Sequence, residues 1–150
     1  MTIGVLLTIL GAAFAAILSG LGSAKAVGLV GDAAAGAISE DPSLFGKVLV
    51  LQILPGTQGL YGFLAAFMIM NNIASGMSLY TGLGYLAAAL PIGIVGYLSA
   101  IHQGRVAASG VSVVLKRPDQ NGKAIILAAM VETYAVLALL ISILLISKVL

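Results

Sequence analysis

Four long runs of apolar residues constrain this 150-residue chain more than any other feature. They lie near residues 3–24, 47–71, 82–102 and 124–147. About 20 helical residues are enough to cross the roughly 30 Å hydrocarbon core of a bilayer. Within such a run only a helix satisfies every backbone polar group internally. The sequence therefore predicts an all-α membrane protein with four transmembrane helices.

The composition excludes several classes of protein and of functional site. Hydrophobic residues make up 61% of the chain and charged residues 8%, whereas soluble domains have about 25% charged residues. No Lys or Arg precedes the first apolar run, as one would in a signal peptide, so we interpret this run as a membrane helix. With no Cys and a single His, the chain has no thiolate metal site or disulfide. No nucleotide-binding loop or nucleophile–base pair is present, so we expect no catalytic activity, no organic cofactor and no nucleic-acid partner.

The charged residues are concentrated in two segments. Ten of the twelve lie within 25–47 and 105–123, and the other two are Glu132 and Lys148. The connector NNIASGMSLYT at 71–81 has none. Basic residues favour the cytoplasmic side of a membrane. We therefore expect the loops near 37–46 and 116–122 to face the cytoplasm and both termini to lie outside the cell membrane.

The chain also contains an internal repeat. PSLFGK at 42–47 matches PDQNGK at 118–123, an offset of 76 that places Gly56 opposite Glu132. Upstream, an offset of 80 pairs Ser19 with Ser99. Two hairpins of the same orientation form a parallel repeat. We predict one membrane domain, 1–150, made of hairpin 1–75 (helices about 1–36 and 45–73) and hairpin 76–150 (helices about 80–116 and 122–148).

The four predicted helices differ in side-chain size. Helices one and three carry stripes of Gly, Ala and Ser at helical spacing, whereas helices two and four are rich in Leu, Ile, Phe and Met. Small residues allow helix backbones to approach closely in lipid. Two interpretations stay open: ordinary packing between membrane helices, or a tight inner layer formed by helices one and three.

Polar side chains that lipid would reject lie at one depth in the membrane. Counted from the loop prolines at 1.5 Å per residue, Gln58, Gln103 and Glu132 fall within about 3 Å of one another in depth. Thr57 adjoins Gln58, and Tyr61 lies one turn further on. An ionised carboxylate at this depth costs several kcal/mol. A proton or a cation must therefore neutralise Glu132.

The other groups at this depth favour a cation. Hydroxyl, amide and carboxylate oxygens are ligands for hard cations. The segment Leu54-Pro55-Gly56 adds a possible main-chain ligand, because proline lacks an N–H and weakens the helix there. A proton remains the simpler alternative, since it needs only the carboxyl group and at most one acceptor.

Three segments together resemble a known family. They are LPGTQGLYGF at 54–63, HQGRVAASG at 102–110 and AAMVETYA at 128–135. With the fused hairpins, they resemble the membrane rotor-ring proteolipid (the K or c subunit) of bacterial V-type ATPases, most closely the sodium-translocating branch. The resemblance implies a homo-oligomeric ring in lipid that turns against a membrane stator subunit. It also implies central-stalk subunits at the cytoplasmic loops.

The same resemblance implies roles for individual residues. The Na+ ligands are the main-chain carbonyl of Leu54 and the side chains of Thr57, Gln58, Gln103 and Glu132. Tyr61 supports the site through a hydrogen bond to Glu132. Two alternatives remain: a ring of the same type that carries H+, and a self-contained four-helix channel or membrane scaffold.

Overall fold

Five α-helices and three 3₁₀ turns make up the computed structural model, which describes residues 2–149. The helices are α1 (Ile3–Glu40), α2 (Phe45–Ile53), α3 (Thr57–Asn71), α4 (Leu79–Lys116) and α5 (Asn121–Val149). The 3₁₀ turns are Pro42–Leu44, Leu54–Gly56 and Pro118–Gln120. Four segments are long and apolar enough to cross a membrane: Ile3–Glu40, Pro42–Asn71, Leu79–Lys116 and Pro118–Val149. The all-α prediction with four spans is confirmed. Met1 and Leu150, the outer ends of the two predicted hairpins, lie outside the described residues.

Proline sets the end of both long helices. A residue before proline is disfavoured in the α conformation, and Asp41 and Arg117 have φ angles of −140° and −144°. The first helix therefore continues to Glu40, beyond its predicted end near 36, because nothing breaks it sooner. The Asp41 carboxylate accepts a hydrogen bond from the Ser43 N–H at 2.9 Å. Hydrogen bonding to Ser43 lowers the pKa of Asp41 from its usual value.

The helices α1 and α4 form the centre of the molecule and make its most extensive contact. Helix α3 packs mainly on α1, and α5 packs mainly on α4. A Cβ atom added at Gly22 would lie 2.7 Å from the Cα of Tyr97. One added at Gly104 would lie 2.7 Å from the Cβ of Ala26. The small residues thus bring two backbones together, which favours the second interpretation, a tight layer of the first and third spans.

Two serines support α4 where Pro91 interrupts its backbone hydrogen bonds. Pro91 has no N–H to donate within the helix. Next to it, the Ile92 carbonyl accepts a hydrogen bond from Ser19 Oγ at 2.9 Å. The Ile92 N–H donates to Ser142 Oγ at 3.2 Å. Side chains from α1 and α5 therefore hold α4 at its proline, so that three spans keep a fixed register.

The close packing of α1 on α4 leads to a stability prediction. Gly22→Ala places a methyl group against the Tyr97 backbone and should destabilise the protein by about 1–3 kcal/mol, as overpacking does. Gly36→Ala is the matched control, because a Cβ there has open space in the same helix. The measurement is the thermal midpoint of each purified variant in detergent. Equal midpoints for the two variants would contradict the packing described for α1 and α4.

Candidate functional site

The second span is interrupted in the middle of the membrane, at Leu54–Gly56. Because Pro55 cannot donate a hydrogen bond, α2 ends here and a 3₁₀ turn precedes α3. The Leu54 carbonyl accepts the N–H of Thr57 through this turn. It also accepts a hydrogen bond from Thr57 Oγ1 at 3.0 Å. The break therefore places a backbone carbonyl and a hydroxyl oxygen side by side, at the depth predicted from the sequence.

Helix α1 contacts the N-terminal turn of α3. The first N–H groups of a helix have no partner within the helix. The Gly59 N–H donates to Ser23 Oγ at 2.8 Å. A Cβ at Gly62 would lie 2.5 Å from the Ala15 carbonyl oxygen, so α3 also approaches the α1 backbone closely. Ser23 and the two glycines thus fix the position of Thr57 and Gln58 against α1.

Two buried amides connect the break in the second span to the carboxylate of Glu132. Gln58 and Gln103 both have no exposed surface. Gln58 Nε2 donates to Gln103 Oε1 at 2.5 Å, and Gln103 Nε2 donates to Glu132 Oε2 at 3.3 Å. Thr57 Oγ1 lies 3.4 Å from Gln58 Oε1. Side chains from α3, α4 and α5 therefore form one continuous polar group inside an apolar protein.

Tyr61 holds the other oxygen of the carboxylate. Its hydroxyl donates to Glu132 Oε1 at 2.6 Å. Since Tyr61 lies four residues after Thr57, both side chains are on one face of α3. Glu132 and Tyr61 are only half-buried, and exposed apolar side chains surround them, including Leu60, Phe63 and Leu137. The carboxylate therefore sits at the outer apolar face of the bundle.

No basic side chain compensates the charge of Glu132 among residues 2–149. Within that range the one ion pair joins Arg117 and Asp119, both exposed in a loop. No three His, Cys, Asp or Glu side chains in the described part of the chain could share a metal ion. A single carboxylate with no charged partner balances one monovalent cation. The donor set suits a small hard cation better than Zn²⁺.

The structure brings together most of the residues that the sequence singled out. Gln58, Gln103, Glu132 and Tyr61 form one hydrogen-bonded network. The carbonyl of Leu54 accepts the Thr57 hydroxyl, whose oxygen lies 3.4 Å from Gln58 Oε1, and it makes no hydrogen bond to Glu132. Sequence reasoning did not assign Ser99 or Ser23 to the site. Ser99 lies four residues before Gln103, and this helical spacing was the available signal.

Comparisons with known proteins identify the same repeat and the same membrane class. The family model for the C subunit of ATP synthase matches residues 10–69 and again 86–145. The V-type sodium ATPase subunit K of Enterococcus hirae is 52% identical over 143 residues, which are 95% of this chain and 92% of that protein. The A-type ATP synthase subunit K of Methanocaldococcus jannaschii is 42% identical over 135 residues, 90% of this chain and 59% of that protein.

More distant similarity reaches animal proteins. The 16 kDa proteolipid of the V-type proton ATPase of Ovis aries is 26% identical over 140 residues, 93% of this chain and 90% of that protein. The two matches to one family model are separated by 76 residues at both ends, since 86 − 10 and 145 − 69 both equal 76. This equals the offset read from the loop motifs. The internal duplication is therefore confirmed over most of the chain.

The Tyr61 contact predicts a change in the reactivity of Glu132. Tyr61→Phe removes a hydrogen bond to a carboxylate and frees that side chain to turn toward lipid. We expect Glu132 to react about tenfold to a hundredfold faster with a lipid-soluble carbodiimide, since such a bond contributes about 1.5–3 kcal/mol. The measurement is the rate of covalent labelling of the purified protein.

The matched control for this experiment is Tyr134→Phe. Tyr134 lies on the same helix as Glu132, is 66% exposed, and has no hydroxyl hydrogen bond within residues 2–149. It should label at the wild-type rate. An unchanged rate in Tyr61→Phe would show that the hydroxyl does not restrain the carboxylate.

Proposed function

Because this chain belongs to the family of ATP synthase C subunits, we propose that it is the ion-carrying rotor-ring subunit of a V-type ATPase and binds one Na+ per copy at Glu132. Copies form a homo-oligomeric ring in the membrane. Each copy carries its ion across the membrane as the ring turns against a stator subunit. The chain is a non-catalytic subunit of this complex. Its 52% identity to the V-type sodium ATPase subunit K of Enterococcus hirae supports the assignment.

The observation that carries the sodium proposal is the oxygen-rich network around one uncompensated carboxylate. The proposed ligands are neutral oxygens plus Glu132: the Leu54 carbonyl, Thr57 Oγ1, Gln58 Oε1 and Gln103 Oε1. Both amide side chains, Gln58 and Gln103, are fully buried, so their oxygens can replace the water around a hard cation. A proton on Glu132 needs none of the oxygens near the break in the second span. Their position beside the carboxylate network favours a larger ion, which can use them as ligands.

Charge neutrality explains how the ring can turn. With Na+ bound, the site has no net charge, and its apolar surroundings can face lipid. Without Na+, the carboxylate at the outer face is unpaired, and a charge exposed to lipid is costly. The empty site is therefore confined to polar surroundings, which the stator subunit supplies with a cationic group. Moving one charge against 100 mV requires about 2.3 kcal/mol, so the energy comes from ATP hydrolysis elsewhere in the complex.

The proposed orientation follows from the charged loops. The loops near 37–46 and 116–122 lie in the cytoplasm, and both termini lie on the opposite, external side of the membrane. In this orientation six of the seven basic residues are cytoplasmic. The same loops are the contact surface for central-stalk subunits. The two hairpins, 1–75 and 76–150, each contain one of the two family matches. Both are anchored in the lipid bilayer as one membrane domain.

A ring that carries protons is the second candidate. The observation that favours it is the similarity to the 16 kDa proteolipid of the V-type proton ATPase of Ovis aries, at 26% identity. Protonation neutralises Glu132 as well as Na+ does, and the Tyr61 contact serves both ions. Only sodium depends on Thr57 and Gln58. Competition between Na+ and a carboxyl reagent therefore distinguishes the two candidates.

The sodium proposal predicts the behaviour of two variants. Glu132→Gln removes the one negative charge of the site and should abolish ²²Na⁺ binding to the purified protein. Gln103→Ala removes one neutral oxygen and should weaken binding about tenfold, as expected for a lost contact to a charged group. In the wild type, Na+ should also slow carbodiimide labelling of Glu132 at neutral pH.

Glu40→Gln is the control, because Glu40 is the only other glutamate and lies exposed at the end of α1. It should bind Na+ like the wild type. Labelling of the wild type that does not respond to Na+, together with no ²²Na⁺ binding, would falsify the sodium proposal and favour the proton-carrying ring.

The ring proposal also predicts the size of the purified protein. A detergent-solubilised ring is a large homo-oligomer. A self-contained channel or scaffold requires only one chain. Native mass spectrometry gives the number of copies, and a monomer that conducts ions in a planar bilayer would contradict both rotor proposals.

A further inference from the structure

Ser99 connects the backbone of α5 to the Gln58 amide. Its hydroxyl donates to the Val131 carbonyl at 3.0 Å. Its oxygen accepts a hydrogen bond from Gln58 Nε2 at 3.4 Å. Ser99 is 6% exposed, and Gln58 is fully buried. Ser99 therefore contacts two sides of the site, the amide on α3 and the residue that directly precedes Glu132.

The hydrogen bonds around Ser99 run in a fixed direction. The Val131 carbonyl and the Glu132 carboxylate can only accept. At the Val131 end of this series of hydrogen bonds, Ser99 donates its single hydroxyl hydrogen to the Val131 carbonyl and must therefore accept from Gln58. At the Glu132 end, Gln103 donates from Nε2 to the Glu132 carboxylate and accepts from Gln58 through Oε1. Both neighbours of Gln58 Nε2 are thus acceptors, and both amide hydrogens have a partner.

This direction decides which atom of Gln58 faces the ion. With Nε2 held by Ser99 and Gln103, Oε1 is turned toward Thr57 Oγ1, 3.4 Å away. If the amide were reversed, its oxygen would meet Ser99 and Gln103 oxygens that have no hydrogen to offer, and its NH₂ group would meet the cation. Both contacts are unfavourable in a buried site. An amide alone has no preference for either orientation, so its neighbours must impose one.

We propose that Ser99 is a positioning residue for the cation, because it holds the Gln58 amide with its oxygen toward the ion. The inference rests on the sodium proposal above. Ser99 itself is not a ligand: its hydroxyl hydrogen is committed to Val131, and its effect reaches the ion through Gln58. Loss of the hydroxyl leaves one buried N–H of Gln58 without a partner and weakens the constraint on the amide.

Sodium and protons respond differently to this constraint. A proton bound to Glu132 needs the carboxyl group and its contacts with Tyr61 and Gln103, and these do not include Gln58 Oε1. Sodium needs the oxygen end of the amide. Ser99 therefore contributes to the preference for Na+ over H+, and loss of its hydroxyl should lower sodium affinity while protonation of Glu132 is retained.

The test compares four variants of the full-length protein with the wild type. Ser99→Ala deletes the hydroxyl, Ser99→Cys keeps the volume with a poor hydrogen-bonding group, and Ser99→Thr keeps the hydroxyl. Ser19→Ala is the matched control: Ser19 is the counterpart of Ser99 in the first hairpin, is fully buried, and donates to the Ile92 carbonyl without a hydrogen bond to any proposed ligand. Two quantities are measured: the Na+ concentration that halves carbodiimide labelling of Glu132, and the labelling rate without Na+.

We expect Ser99→Ala and Ser99→Cys to raise the half-protecting Na+ concentration about tenfold, as for one buried hydrogen bond of about 1–1.5 kcal/mol. Ser99→Thr and Ser19→Ala should stay within about twofold of the wild type. The labelling rate without Na+ should be the same in all five proteins. This combination separates a positioning role from a general loss of packing, which would alter the rate as well.

Three results would overturn the inference. Unchanged protection in both Ser99→Ala and Ser99→Cys would show that Gln58 needs no second acceptor. An equal loss in Ser19→Ala, or an altered labelling rate without Na+, would indicate that the serine only packs. A wild-type protein that Na+ does not protect would remove the sodium proposal and this inference with it, whereas the first two results leave sodium binding intact.

Discussion

The rest of the structure depends on one physical constraint, the cost of a carboxylate in lipid. Glu132 has no basic partner among residues 2–149, so its charge is not cancelled within the described chain. Two other spans instead supply neutral polar groups to it: α3 provides Tyr61 and, through Gln103, Gln58, and α4 provides Gln103. Neutral groups stabilise an anion only in part. The remaining charge is what the proposed cation would neutralise.

Close packing of the small-residue helices makes this arrangement possible. Direct contact of α1 with α4 brings Gln103 near the outer spans without a thick layer of side chains between them. The same principle operates between α1 and α3, where Gly62 rests on the Ala15 carbonyl and Ser23 binds the Gly59 N–H. The central helices therefore act as a rigid support. Of the polar groups around the carboxylate, α4 supplies Gln103, and the outer helices α3 and α5 supply the others.

Much of this could be predicted from the sequence, because prolines give the helices a common reference. Counting from Pro42 and Pro118 placed Gln58 and Glu132 at one depth. The missing N–H of Pro55 predicted a weakened helix there, whereas the structure divides the predicted helix 45–73 into α2 and α3. Rotation of a helix about its axis is harder to predict, because the prolines mark positions along the helix and not its rotation. That rotation decides that Ser99 faces Gln58 while its neighbour His102 is exposed. The direction of hydrogen bonds depends on side-chain torsions, which a residue list does not contain.

The two repeats differ at the positions that form the polar network. At the offset of 76, Gly56 takes the place of Glu132, and Tyr134 takes that of Gln58. Upstream, Ser19 corresponds to Ser99, yet its hydroxyl supports the backbone beside Pro91 and contacts no amide ligand. A buried serine is therefore not a site residue by itself. Ser99 has its role because a nearby carboxylate and two amides fix the direction of its hydrogen bonds. Ser19 has no such neighbours among its hydrogen-bond partners.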